Sequence, residues 1–256
     1  MRQQILDELE KIEKDHEIRI LYACESGSRA WGFNSSNSDF DVRFIYVHKL
    51  DWYLSTVSNR DVIEQLNGDL DISGWEIRKA LKLLAKGNPP MLEWLYSPIV
   101  YKVDPIFYNK LLTLSNNCFS PKTAIYHYIS MAKRNYNQYI KDKAYVKYKK
   151  YLYVIRPLLN CIAIQEQGKM PPTQMDLSQG LLKPYKAYPD ILALIGAKKA
   201  GLELATAPSS QVLNEFIEEL LFFFELYVID AKVVNIDYKA LDVLLNNQVM
   251  EFTNEK

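Results

Sequence analysis

The chain has 256 residues, 48% of them apolar, and its 31 Lys and Arg balance 31 Asp and Glu. That is enough apolar material to build a core, as one large domain or two small ones, and a net charge of zero gives no global field to attract nucleic acid or a membrane surface. The three cysteines (Cys24, Cys118 and Cys161) are odd in number, widely spaced and in mostly apolar surroundings, which excludes a disulfide framework or zinc site and reads as reduced thiols in a cytoplasmic protein.

The N-terminus, MRQQILDELEKIEKDHE, is charged and has Ile5, Leu9 and Ile12 at helical spacing, so it is an amphipathic helix over about 2–14 and not a secretory signal. Strands are expected at about 18–24 and 39–48, built on the apolar runs Ile20 to Cys24 and Val42 to Val47. Between them stands Gly27-Ser28, a tight turn, and after ten intervening residues comes Asp39-Phe40-Asp41. Side chains alternate along a strand, so residues 39 and 41 share a face. Two carboxylates that close repel one another unless a cation lies between them. Hard carboxylate oxygens suit Mg²⁺, which keeps several waters and bridges to substrate phosphates, and the backbone N–H groups of the turn with the Ser28 hydroxyl suit phosphate oxygens. Taken singly, an Asp-x-Asp is an ordinary solvated strand edge and a Gly-Ser an ordinary turn. Their combination on successive strands favours phosphoryl transfer by divalent metal.

Residues 51–66 read as partly helical. Asn67-Gly68-Asp69-Leu70-Asp71-Ile72-Ser73-Gly74 is a short strand between turn signals that supplies a third carboxylate. A two-metal site needs about three acids to hold ions ~3.5–4 Å apart. Asp71, flanked by Leu70 and Ile72, is better placed than Asp69, which shares its face but follows the turn. Glu76 to Lys86 is an amphipathic helix stopped by Gly87-Asn88-Pro89-Pro90, and Met91 to Leu95 begins another.

The segment 25–84 resembles the DNA polymerase β-like nucleotidyltransferase superfamily, whose pattern is Gly-Ser, about ten residues, Asp-x-Asp, then an acid on a later strand. ESGSRAWGF (25–33), SDFDVRF (38–44), DISGWEIRKALKLL (71–84) and NPPMLEWLYSP (88–98) are similar, more narrowly, to the predicted nucleotidyltransferases associated with RNA repair. That resemblance extends through AKRNYNQYI (132–140) and KKYLYVIRPLL (149–159) and covers roughly residues 15 to 180. It implies an α+β fold: an N-terminal polymerase β-like domain with a small mixed sheet (1–118), then an α-helical domain (119–256) closing the active-site cleft. It also implies two Mg²⁺ ions, with Mn²⁺ able to substitute, on Asp39, Asp41 and Asp71, an NTP substrate, and a nucleoside monophosphate passed to an acceptor hydroxyl with release of pyrophosphate. Gly27, Ser28 and Arg29 are the expected phosphate contacts of the turn, and Arg29 is equally placed to pair with Glu25 or Asp39. Arg43, two residues beyond Asp41 on the same face, is an acid partner or a phosphate contact.

From about Ser120 the pattern is helical, with helices expected over 122–141, 145–166, 189–199, 209–232 and 238–249. Pro157 is expected to kink or divide the second. The most apolar stretch, Phe216 to Val234, contains Glu218, Glu219, Glu225 and Asp230 and reads as a buried amphipathic helix, so no membrane span is expected. Between Lys122 and Arg156 nine basic residues face a single acid, Asp142, and eight tyrosines are interleaved with them. Such a surface suits phosphates and stacked bases, and equally suits a solvated helical face. Lys149, Tyr153, Arg156 and Asn160 fall on one helical stripe, where Lys149 and Arg156 would hold the triphosphate and Tyr153 the base or sugar. An RNA end is the expected acceptor. A protein side chain or small molecule as acceptor, and a catalytically silent nucleotide-binding protein, are the alternatives. A metal-dependent glycosyltransferase fits less well, lacking the Gly-Ser turn and third acid.

Overall fold

A computed structural model describes residues 1–174, 182–202, 205–227 and 236–255. The N-terminal helix α1 (Arg2–His16) buries Ile5, Leu9 and Ile12, the spacing that marked it in the sequence, and ends where Glu17 turns left-handed. Five strands follow: β1 (Arg19–Glu25), β2 (Phe40–Val47), β3 (Val62–Asn67), β4 (Leu70–Glu76) and β5 (Val100–Val103). They form one sheet in the order β3-β4-β2-β1-β5, in which β2 and β4 run parallel and every other neighbouring pair antiparallel. Alternation along β2 puts Val42, Phe44 and Tyr46 into the core with α1, together with Leu70 and Ile72 of β4, and so turns Asp41 and Arg43 to the other face.

Gly74 stands directly opposite Phe44 in the β2–β4 register. A Cβ there would lie 2.2 Å from the Phe44 ring, so the missing side chain is what lets the ring lie flat across β4. The expected helical character of 51–66 is confined to α3 (Leu50–Tyr53). Residues 62–67 instead pair with β4 as the hairpin strand β3, joined to it by the two-residue turn Gly68-Asp69. Helix α4 (Ile77–Ala85) starts on the Glu76 carboxylate, which accepts the Arg78 and Lys79 N–H groups. Asn88 does more than stop it: its side chain accepts the Met91 N–H and caps α5 (Pro89–Leu95). Helix α6 (Pro105–Cys118) closes this part of the chain.

The chain divides into two compact units, the first made of 1–31, 39–119 and the described residues from 236 on, the second of 32–38 and the described residues of 120–232. The passage at 119–120 lies beside the boundary read from the sequence, and two segments depart from that division. Helix α11 (Tyr238–Asn254) packs on α4 and α6 within the first unit. Thr253 Oγ1 there accepts the Leu50 N–H at 2.9 Å, and Glu251 pairs with Arg19 at 3.2 Å. Residues 32–38 belong to the helical unit, where Lys198 Nζ donates to Ser38 Oγ at 3.3 Å.

In the second unit, α7 (Pro121–Tyr139) and α8 (Tyr148–Gln167) pack along one another, and α9 (Tyr188–Lys199) and α10 (Gln211–Leu226) pack on them. A short ribbon of β6 (Tyr145–Lys147) and β7 (Thr206–Pro208) precedes α8 and α10. The helix expected over 209–232 is seen as α10, and its last expected residues, 228–232, lie outside the described residues. Pro157 does not divide α8, which is one helix from 148 to 167. The carbonyl that Pro157 cannot serve, that of Tyr153, is taken by Asn135 Nδ2 of α7 at 3.4 Å. From Val154 to Ile164 every residue of α8 is buried, so its second half is the central helix of the unit. All three cysteines are free and buried. Among the described residues no helix is long and apolar enough to cross a membrane.

Candidate active site

The parallel pairing of β2 with β4 sets Asp41 directly opposite Asp71. Both carboxylates rise from the sheet face that α1 leaves open, next to one another, because a parallel pair in register keeps side-chain faces aligned. Asp69 does not join them: it is exposed in the β3–β4 turn, where its carbonyl accepts the Phe40 N–H at 2.8 Å. Asp39 is exposed and lies one residue before β2 begins.

Asp41 is held from several sides. Its N–H donates to Glu25 Oε1 at 2.8 Å, and its carbonyl accepts the Ser26 N–H at 2.7 Å. Gly27, with φ 57°, approaches so closely that a Cβ would stand 2.0 Å from Asp41 Oδ2. This is a position where both backbone conformation and space require glycine. The Gly27-Ser28 turn forms the first residues of the short helix α2 (Gly27–Trp31). Burial pushes the Asp41 carboxyl above the ordinary carboxylate range; Arg43 opposes that shift, while the charges of Asp71 and Asp39 reinforce it.

Arg43 answers the two roles left open for it in favour of acid partner. Its Nη2 donates to Asp71 Oδ2 at 2.9 Å and Asp41 Oδ1 at 3.2 Å, and its Nη1 to the carbonyls of Asp71 and Val42, each at 3.0 Å. Arg29 lies with its guanidinium 3.6 Å from the centre of the Phe40 ring and donates from Nε to the Asp39 carbonyl at 3.2 Å.

Glu25 is the residue that sequence reasoning passed over, having been weighed only as a partner for Arg29. It is fully buried, and besides the Asp41 N–H it accepts the Tyr101 hydroxyl. Burial raises its carboxyl above the usual range, against the pull of those two bonds. The available signal was an acid closing an otherwise apolar strand immediately before the turn.

Lys149, Tyr153 and Arg156 lie on α8 of the second unit. Lys149 is partly exposed and Tyr153 is at the surface, but Arg156 and Asn160 are buried, at 4% and 5% exposure. The stripe therefore runs from surface into core. Lys150 sits over the Tyr139 ring at 3.5 Å, and Tyr145 is exposed. Lys133, one of the basic residues of α7, pairs with Glu225 at 2.5 Å.

Among the described residues no three His, Cys, Asp or Glu stand together closely enough to hold a metal ion. The Asp41–Asp71 pair nonetheless converges on one cationic group, the Arg43 guanidinium, and its donors are hard oxygens. The pair fits a divalent cation whose coordination is completed by oxygens from a substrate.

A family model described as the RNA repair pathway DNA polymerase beta family matches residues 1–247. A curated relative, an uncharacterized protein YcgL of Bacillus subtilis, is 44% identical over 260 residues, spanning all of this chain and 97% of its own length. A nucleotidyltransferase-like protein from Exiguobacterium sibiricum, of solved structure, shares 12% identity over 95% of this chain and 76% of its own, with a TM-score of 0.29, too slight a likeness to bear on the site.

Proposed function

The chain belongs to the RNA repair pathway DNA polymerase beta family and is a nucleotidyltransferase of the polymerase β-like kind, and from that premise we propose that it transfers a nucleoside monophosphate from an NTP to the hydroxyl of an RNA end, releasing pyrophosphate. The observation that carries this reading is the register of β2 on β4, which joins Asp41 and Asp71 on one face while Gly27 packs against Asp41.

Asp41 and Asp71 are the proposed ligands of divalent metal, Mg²⁺ in the first instance with Mn²⁺ as a substitute, and Asp39, exposed at the head of β2, would have to draw in to join them. Such metal, when bound, supplies charge to neutralise the phosphates and to favour ionisation of the attacking hydroxyl. The residues of the chain do the placing. Glu25 and Ser26 fix the Asp41 backbone. Asp71 orients the acceptor hydroxyl and takes its proton as the oxygen attacks the α-phosphorus in line. The backbone of Gly27 and the hydroxyl of Ser28 hold the β,γ-phosphates, and the departing pyrophosphate carries the negative charge away. Arg29, already beside Asp39, adds a cation at the mouth. Lys149, Tyr153 and Arg156 of the second unit remain proposed nucleotide-binding residues, Arg156 from a buried position.

RNA as acceptor is favoured over a protein or small molecule by the family description and by the exposed basic residues Arg134, Lys141 and Lys143 beside the exposed Tyr145. The test is incubation of the purified protein with each labelled NTP, Mg²⁺ and total cellular RNA, reading label incorporated into RNA and pyrophosphate released. Label appearing in protein or small molecules instead moves the acceptor, and NTP binding with no pyrophosphate from any acceptor supports the silent-binder alternative.

A further inference from the structure

Arg43 is bound more fully than a charge partner on an open face needs to be. Two of its four hydrogen bonds go to carboxylates, Asp71 Oδ2 and Asp41 Oδ1, and two go to main-chain carbonyls, those of Val42 and Asp71. Carbonyls of strands cannot swing away. They orient the guanidinium plane whatever the carboxylates do, so the positive charge is a permanent part of the site and not a mobile side chain that happens to have found two anions. The arrangement needs arginine: a lysine ammonium has three donors on one atom and no planar fork with which to span two strands.

The pairing also divides the carboxylates. Each gives one oxygen to Arg43, Oδ1 from Asp41 and Oδ2 from Asp71. Each keeps the other, and the free oxygen of Asp41 is the one that lies against Gly27. Two like charges on adjacent strands would otherwise force each other apart. Arg43 is only 19% exposed, so solvent screens its charge incompletely.

We propose that Arg43 is the resident counter-ion of the Asp41–Asp71 pair, a positioning residue that holds the two carboxylates together and weakens the affinity of the nucleotide-free protein for divalent cations. The inference rests on the reading of Asp41 and Asp71 as metal ligands. A fixed cation a few ångströms from a dication opposes its binding in any dielectric. Tight association then requires further anionic oxygens, of the kind a triphosphate carries, and the cost of bringing two carboxylates together is met by the protein before any ligand arrives.

The test uses the full chain, freed of metal and nucleotide, titrated with Mn²⁺ while free Mn²⁺ is read by electron paramagnetic resonance. Arg43→Gln should bind Mn²⁺ at least ten-fold more tightly than wild type, and should melt at a lower temperature in chelator, with the gap narrowing as Mn²⁺ is added. Arg43→Lys keeps the charge but loses the fork. It should therefore stay within about three-fold of the wild-type Mn²⁺ affinity while melting lower in chelator. A folded Arg43→Gln protein with unchanged or weaker Mn²⁺ affinity overturns the proposal. If Arg43→Gln does not fold, Arg43→Lys decides alone: loss of Mn²⁺ binding shows that arginine merely shapes the site and overturns the counter-ion role. Wild-type pyrophosphate release, measured separately, tells failure of this inference from failure of the nucleotidyl-transfer reading.

Discussion

Gly27 and Asp41 are in such close apposition that the space where a Cβ of residue 27 would stand lies 2.0 Å from the Asp41 Oδ2 atom. Gly27→Ala should therefore injure the site twice, through strain at φ 57° and through displacement of the carboxylate. We expect a loss of about 1–3 kcal/mol in stability and a much larger fall in turnover, at least ten-fold, in urea melts and pyrophosphate-release assays. Wild-type turnover in this variant would remove Asp41 Oδ2 from the chemistry.

The two neighbouring acids of the hairpin should separate cleanly. Asp71 faces Asp41 across the parallel pair, while Asp69 lies in the turn. Asp71→Asn should lower pyrophosphate release by about 10²-fold or more with the fold retained by circular dichroism. Asp69→Asn should stay within two-fold of wild type, by the estimate that surface changes away from a site are worth within about 0.5 kcal/mol. Equal losses at both positions would count against the register as the organising feature.

Glu76 offers a pH dependence away from the carboxylate pair. It is 2% exposed, accepts the Tyr53 hydroxyl at 2.6 Å and caps α4, and burial raises its carboxyl above the ordinary value against the pull of those bonds. A raised carboxyl means that the folded protein holds the proton more tightly than the unfolded chain. The stabilisation from this group is thus present in full below the unfolded pKa, about 4.3, and is lost as pH rises through the folded one. Glu76→Gln keeps an acceptor for the cap without the charge. In chemical denaturation the stability of wild type minus that of Glu76→Gln should decline as pH rises from the unfolded pKa through the raised one. A difference that grows with pH would reverse the assignment.

RNA binding, on the proposed function, should be modest and salt-sensitive. Charge reversal at Arg134, Lys141 and Lys143, all exposed, should weaken binding of single-stranded RNA. Each lost phosphate contact should lower the slope against log salt by about 0.7. Mg·NTP affinity should be unchanged in the same protein. Lys149→Ala should do the opposite, raising the NTP KM by about ten-fold or more with RNA binding kept. Filter binding at graded salt and steady-state kinetics separate the two. A wild-type protein with no salt-dependent RNA affinity would turn the acceptor toward protein or small molecules.

The sequence alone was enough to mark α1, α4, the strands on either side of Gly27-Ser28 and the helical second half, because each carries its own periodicity or turn signal within a window of a few residues. That Asp69 stands at a turn and Asp71 on the strand after it was legible for the same reason, in the turn chemistry of Asn67-Gly68. Several features depended on partners distant in the chain. β3 has weak alternation of its own and becomes a strand by pairing with β4. α11 is visibly amphipathic, but nothing in its pattern says that its apolar face meets α4 and α6, more than a hundred residues earlier in the chain. Pro157 reads locally as a break, and α8 continues through it where Asn135 of another helix takes the orphaned carbonyl. Local patterns record which face of a segment is apolar; they do not record what that face packs against. The same limit hid the role of Glu25 and left Arg43 with two open roles. Their residue types are ordinary in sequence, and only the β1–β2–β4 register brings a buried carboxylate to the Asp41 N–H and a guanidinium between two aspartates.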